Sequence, residues 1–180
     1  MEQRVIEKEH EIAALLSVLG RKLEKGEEAP LHIWVLSGRL ACAHRPLRHH
    51  PHFAGSAKNL SPAAAPFVIE WASTIVRSGF RSIISLMHQT ELAYYAQLPL
   101  GAADLIEFYR HSGLAVSHIE WVDPAHSKTQ PKAILKKRDA VRIKALAAYD
   151  ELPKPVLLHC SAGIQRSAPV AAYIWHMRRP

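Results

Sequence analysis

A chain of 180 residues holds one hydrophobic core comfortably and two only with difficulty. Its 48% hydrophobic and 22% charged residues are those of an ordinary globular protein, and no apolar run approaches the roughly 20 residues that a membrane span needs. The net charge of +7 points weakly toward an anionic partner. The charged N-terminus "MEQRVIEKEH" lacks the apolar stretch of a signal peptide, and two cysteines, Cys42 and Cys160, make a poor disulfide framework. A reducing, cytoplasmic setting is the expectation.

In chain order, residues 2–25 read as a helix, with Val5, Ile12, Leu16, Leu19 and Leu23 on one face and charges elsewhere. "LHIWVL" is strand-like, and "SGRLACAHRP" turns the chain into a long His- and Pro-rich loop, with "GRLAC" itself able to lie on a strand. "SPAAAPFVIEWASTIVRSG" carries the punctuation of a helix, a Ser cap, an early Pro and a closing Gly. "FRSIISLM" is a buried-strand pattern. Helical residues resume at "TELAYYAQL" and "LGAADLIEFYRHSG", and "LAVSHIEWV" is a further strand. After a loop from Asp123-Pro124, "KAILKKRDAVRIKALAAYDEL" is a long helix, "KPVLLHC" a strand, and the residues beyond Arg166 a final helix that buries Val170, Tyr173 and Ile174. Strands alternating with helices predict an α/β domain with a central, mainly parallel sheet flanked by helices. The domain is expected over residues 29–180, with 1–28 as an added amphipathic helix.

Two other features have simple readings. Lys132, Lys136, Lys137, Arg138, Arg142 and Lys144 fall in one segment and read as a solvated helix face, with a basic docking surface as the alternative. His44, His49, His50 and His52 lack the spacing and neighbouring carboxylates or thiolates of a metal site, so no metal and no cofactor is expected there.

The chemistry concentrates at "VLLHCSAGIQRSAPVAAYIW", residues 156–175. Cys160 falls where a strand ends and a helix begins, the place where open α/β sheets bind ligands. Amides at a helix start have no intrahelical acceptor, and the dipole there favours anions and a thiolate. Ser161, Ala162 and Gly163 are small enough for the backbone to curl so that successive N–H groups converge. Arg166 supplies a planar fork for two oxygens of a phosphate, Ser167 a hydroxyl toward the sulfur, and His159 a brace for the Cys160 backbone and added positive charge.

"HCSAGIQRS" resembles the His-Cys-x5-Arg-Ser/Thr signature of the cysteine-based protein tyrosine phosphatase superfamily. "WVLSGRLACAHRP", "SGFRSIISLMHQTEL" and "HIEWVDP" are similar to further segments of the small bacterial and atypical dual-specificity phosphatases, so that the resemblance runs from Leu31 to Trp175. It implies a dual-specificity phosphatase-like fold and hydrolysis of phosphomonoesters through a phosphocysteine. In that scheme Cys160 is the nucleophile, and Ser161, Ala162, Gly163, Ile164, Gln165 and Arg166 bind the phosphate. Asp123, which stands before Pro124 where relatives carry Pro-Asp, is the general acid. Asp139 and Asp150 read as helix-surface residues, and Trp121 and Trp175 as core aromatics.

The resemblance favours phosphorylated protein as substrate, because "SAGIQ" has no Lys to meet extra phosphates. Inositol phosphates, phosphoinositides and RNA 5′-phosphates remain alternatives, as does a phosphate-binding module without turnover. Cys42 is a candidate redox partner for Cys160, with a small core residue as the plain reading. Relatives continue with one or two helices after the one that follows the loop, whereas this sequence stops at "WHMRRP". The N-terminal helix is therefore expected to pack against the domain, within its own chain or across a dimer.

Overall fold

The computed structural model describes residues 2–55, 59–124 and 131–179, except for the side chains of 131, 132, 134 and 135. The loop beyond Pro124 and the side chain of Lys132 lie outside the described residues. Helix α1 covers Glu2–Glu24, and strands β1 (His32–Leu36) and β2 (Leu40–Ala43) follow. Then come α2 (Ala65–Arg77), β3 (Ser82–Ser85), α3 (Gln89–Leu92), α4 (Leu105–His111), β4 (Ala115–His118), α5 (Pro131–Glu151), β5 (Val156–His159) and α6 (Ser167–Arg178). The strands form one sheet in the order β1-β2-β5-β3-β4, antiparallel only between β1 and β2. This is the expected α/β sheet flanked by helices. No helix among the described residues is long and apolar enough to cross a membrane.

Strand β5 is central, and its burial shows why. Val156, Leu157, Leu158 and His159 are all buried, as are all four residues of β2 and of β3 on either side. A strand covered on both faces has no polar–apolar alternation. That is why "LACA", a run of four small or apolar residues, is hard to separate from its flanking turns in the sequence, although it is a full member of the sheet. Successive residues go to opposite faces. Leu40, Cys42, Ile84, Val156 and Leu158 join α1, α5 and α6 in one core, and Ala41, Ala43, Ile83 and Leu157 join α2 and α4 in the other.

The N-terminal helix belongs to the first of these cores, within its own chain. Val5, Ile12, Leu16 and Leu19 are buried and Leu23 packs at the edge. Burying each such side chain stabilises by about 1.5–3 kcal/mol before entropy is deducted. On α6, Val170 and Ile174 are buried as expected, whereas Tyr173 is only half-buried, with the Arg142 guanidinium over its ring.

Two local expectations are corrected. Ser61 makes no capping hydrogen bond, since a 3-10 turn over Pro62–Ala64 intervenes before α2. The basic face of α5 is solvated at Lys136, Lys137 and Lys144, but Arg142 is buried. It donates to the Pro169 carbonyl at 3.2 Å and pairs with Glu9 of α1 at 3.4 Å, tying α5, α6 and α1 together.

Candidate functional site

Strand β5 delivers Cys160 to the carboxyl end of the sheet. Residues 160–166 then curl into a loop, and α6 opens at Ser167. Gly163 sits at φ +76°, in the left-handed region, and a side chain there would collide with Leu16 of α1 and the Ala43 carbonyl. Only glycine fits both the torsion and the space.

The outside of this loop is held one carbonyl at a time. His159 Nδ1 lies 3.1 Å from the Cys160 carbonyl, the Arg45 amide donates to the Ser161 carbonyl at 2.9 Å, and His44 Nδ1 lies 2.8 Å from the Ala162 carbonyl. Arg45 also donates through Nε to Ser161 Oγ at 3.2 Å, and is itself fixed by Tyr95 and the Gly55 carbonyl. In a trans peptide the carbonyl and the next N–H point in opposite directions. Three carbonyls pulled outward therefore turn the amides of Ser161, Ala162 and Gly163 inward. Among the described residues those three amides donate to no protein acceptor.

Arg166 is fully buried. Its guanidinium is gripped by Glu91 through two bonds of 2.6 Å, and it also donates to the Leu86 and Trp121 carbonyls at 3.2 and 2.9 Å. Asp123 Oδ2 stands 3.3 Å from the same group. Burial acts to lower the Arg166 pKa, but the Glu91 hydrogen bonds and the charges of Cys160, Glu91 and Asp123 outweigh it, so the side chain stays cationic. Burial likewise acts to raise the Glu91 carboxyl, and the Arg166 hydrogen bonds win, holding it below its ordinary value. Arg166 Nε remains buried without a partner among the described residues.

The sequence-derived residues thus meet at one corner: Cys160, the loop Ser161–Gln165, Arg166 and Asp123. Within the loop, Ser161 and Gly163 are buried, Ala162 and Ile164 half-buried and Gln165 exposed. Trp121 is buried beside Asp123 as a core aromatic, and Trp175 is half-buried at the core edge, under Lys8 and Arg179. Asp139 and Asp150 are surface residues, Asp150 paired with Arg178.

Three expected roles are corrected. Both terminal nitrogens of the Arg166 fork are engaged by Glu91, Asp123 and the Leu86 and Trp121 carbonyls, so among the described residues Nε is the donor it keeps for a ligand. His159 braces the Cys160 carbonyl but adds no charge: burial beside Trp71 and Tyr109 lowers its pKa to about 4, so it is neutral. Ser167 Oγ makes no bond to the sulfur; its hydroxyl is buried at the start of α6 without a partner among the described residues. Cys42 is a fully buried residue of β2, its thiol pushed far up by burial and by the neighbouring Cys160.

Sequence reasoning passed over three residues that shape the site. Glu91 ends a capping box in which the His88 amide donates to its carboxylate at 2.8 Å. Glu91 stands in the mostly polar run "SLMHQTEL", which carries no local signal that its carboxylate is buried against a cation. His44 and Arg45 follow β2 directly, and the register Ala43↔His159 puts His44 level with Cys160. No protein-family model matches the chain, and no curated protein or solved structure matches it at significance.

Proposed function

We propose that this protein hydrolyses phosphomonoesters through a phosphocysteine on Cys160. The observation that carries the reading is a set of donors that find no acceptor among the described residues and follow one thiol in the chain: three inward amides, Arg166 Nε and Ser167 Oγ. Buried donors without partners cost free energy in an empty site, and a tetrahedral oxyanion repays it by accepting from several at once.

The chemistry follows from the positions. The Cys160 thiolate attacks phosphorus, the bond to the leaving oxygen breaks, and Asp123 in its acid form delivers a proton to that oxygen. Asp123, now a carboxylate, takes a proton from water; the water oxygen bonds to phosphorus and the S–P bond breaks. Inorganic phosphate leaves and the thiolate returns. Arg166, oriented by Glu91, supplies positive charge throughout, and its contact with Asp123 ties the acid to the same corner. Phosphorylated protein is the substrate class that the lysine-free loop favours.

Hydrolysis of para-nitrophenyl phosphate tests the reaction. The wild type turns it over in the presence of a chelator and stops with vanadate, and Cys160→Ser is inactive. A wild type that binds vanadate without turnover supports a phosphate-binding module instead. Full activity in Cys160→Ser ends the proposal. A panel of phosphopeptides, inositol phosphates and 5′-phosphorylated RNA then ranks the substrates.

A further inference from the structure

We infer that His44 is a positioning residue of the loop, fixing the Ala162–Gly163 peptide so that the Gly163 amide faces the bound anion; the inference rests on the anion-loop reading above. An Ala-Gly peptide is the place where such a loop turns over most cheaply, because glycine tolerates both torsions that the flip connects. The flip would exchange an inward N–H for an inward carbonyl and reverse the sign of the dipole that an oxyanion meets. Among the described residues, one side-chain hydrogen bond opposes it. His44 Nδ1 is 2.8 Å from the Ala162 carbonyl, and the residue is 3% exposed.

The ring is held for this purpose from two sides. A carbonyl only accepts, so His44 carries its proton on Nδ1. Burial, followed by the nearby His49, lowers its pKa to about 4 against the opposing hydrogen bonds to the Ala162 and Leu16 backbone, so it is neutral at neutral pH. The His49 ring meets it edge-on with centroids 4.3 Å apart. His49 is itself fixed by Glu24 of α1, whose carboxylate is 2.6 Å from its Nδ1. Gly20, one turn earlier on α1, lies against the His49 ring, 3.0 Å from the point where a Cβ would stand. A line of contact thus runs from α1 through His49 and His44 to the peptide of the loop. Arg45 cannot substitute, since its bonds to the loop go to Ser161.

The test uses the full chain, with tungstate as an unreactive oxyanion and calorimetry as the readout. His44→Leu fills the space without a donor, and His44→Asn puts an amide N–H near the place of Nδ1. Losing one well-aimed amide from an anion weakens binding about 10-fold or more. The expected result is that loss in His44→Leu, a displaced Gly163 amide resonance in the NMR spectrum, and recovery of most of the affinity in His44→Asn. Equal tungstate affinity in His44→Leu and wild type overturns the inference, as does a His44→Asn no better than His44→Leu. Should His44→Leu fail to fold, the ¹⁵N spectrum of the wild-type imidazole decides: the Nδ1–H tautomer supports it and the Nε2–H tautomer overturns it. A wild type that does not bind tungstate defeats the anion-loop reading itself, a different outcome from a wild type that binds and a variant that binds equally well.

Discussion

A methyl carbon of Leu16 lies 2.8 Å from the point that a Cβ on Gly163 would occupy, so the N-terminal helix touches the underside of the thiol loop directly. Leu16 has no exposed surface. Leu16→Ala should therefore cost about 2–5 kcal/mol of stability, as large-to-small changes in packed cores do. Deleting residues 1–25 should lower the melting temperature strongly or cause aggregation, because it uncovers the face of α6 and the sheet. Gly163→Ala should fail differently, combining a positive φ with a steric clash. A deletion as stable and soluble as the full chain in a thermal melt would mean that α1 is an appendage.

The Glu91–Arg166 pair makes a second prediction. Both side chains are buried, and removing the Glu91 charge leaves Arg166 with the more distant Asp123 as its carboxylate partner. Such losses are typically about 3–5 kcal/mol. Glu91→Gln should destabilise in urea by roughly that amount, and should also weaken tungstate binding because the guanidinium loses its anchor. If stability falls while oxyanion affinity stays at the wild-type level, Glu91 serves the fold and not the site.

Stability should also fall on the acid side of neutrality, and the sign follows from burial. His44 and His159 have pKa values lowered to about 4 in the native protein, against an ordinary 6.5. Between those values the unfolded chain takes up protons that the native one refuses, so stability is lost as pH drops from about 6.5 to about 4. Each histidine accounts for up to about 3 kcal/mol. Glu91 acts lower down: its depressed pKa gives stability that is complete above about pH 4.5 and is lost as its carboxylate protonates. Urea midpoints at pH 7, 5.5 and 4.5 should decline in order, more shallowly in His44→Asn. A midpoint independent of pH over this range contradicts the buried neutral histidines.

Much of this was legible in the sequence, for identifiable reasons. The strand-to-helix corner at Cys160 shows itself because local chemistry is dense there: an apolar run, small residues, an Arg and a Ser within one turn. The stripe from Val5 to Leu23 shows itself because a one-sided helix has a clear period. What stays hidden is whatever depends on chain-distant partners. β2 is buried on both faces and has no period to read. Ser167 and His159 sit where expected, but their state depends on burial by α2, α4 and α6, which residue type does not report. Glu91, His44 and Arg45 acquire meaning only once the parallel register puts the ends of β2, β3 and β5 side by side.

Asp123 can be tested apart from the nucleophile. It contacts Arg166 at 3.3 Å and is a quarter exposed, and the proposed reaction makes it the acid for the leaving group. General acids contribute typically about 10²–10⁴-fold. Asp123→Ala should lose about that much on a phosphopeptide and much less on an activated aryl phosphate, whose leaving group needs no proton. Equal losses on both substrates would make Asp123 a partner of Arg166 alone, and wild-type rates on the phosphopeptide would remove it from the reaction.

The last prediction concerns the two thiols. Cys42 is in register with Leu158, and Cys160 follows two residues later on the same strand line, so both cysteines belong to the same face of the sheet and to one core. They are diagonal neighbours, and a disulfide needs Cα atoms within about 7 Å, so the end of β5 or the loop has to shift slightly to close the bond. Their roles are unequal. Cys42 is fully buried with its thiol pushed far up, so it does not meet the oxidant first. Peroxide should convert Cys160 to a sulfenic acid, and Cys42 should then displace water from it, forming the disulfide as the hydroxyl departs with a proton. Dithiothreitol should restore activity in the wild type. In Cys42→Ser the sulfenic acid has no such trap, and continued exposure should carry it to irreversible sulfinic acid. Mass spectrometry of the oxidised wild type decides the matter: a peptide pair linked through Cys42 and Cys160 is expected. If no link forms while dithiothreitol still rescues, Cys42 is a packing residue of β2, and the core explains its burial without any redox role.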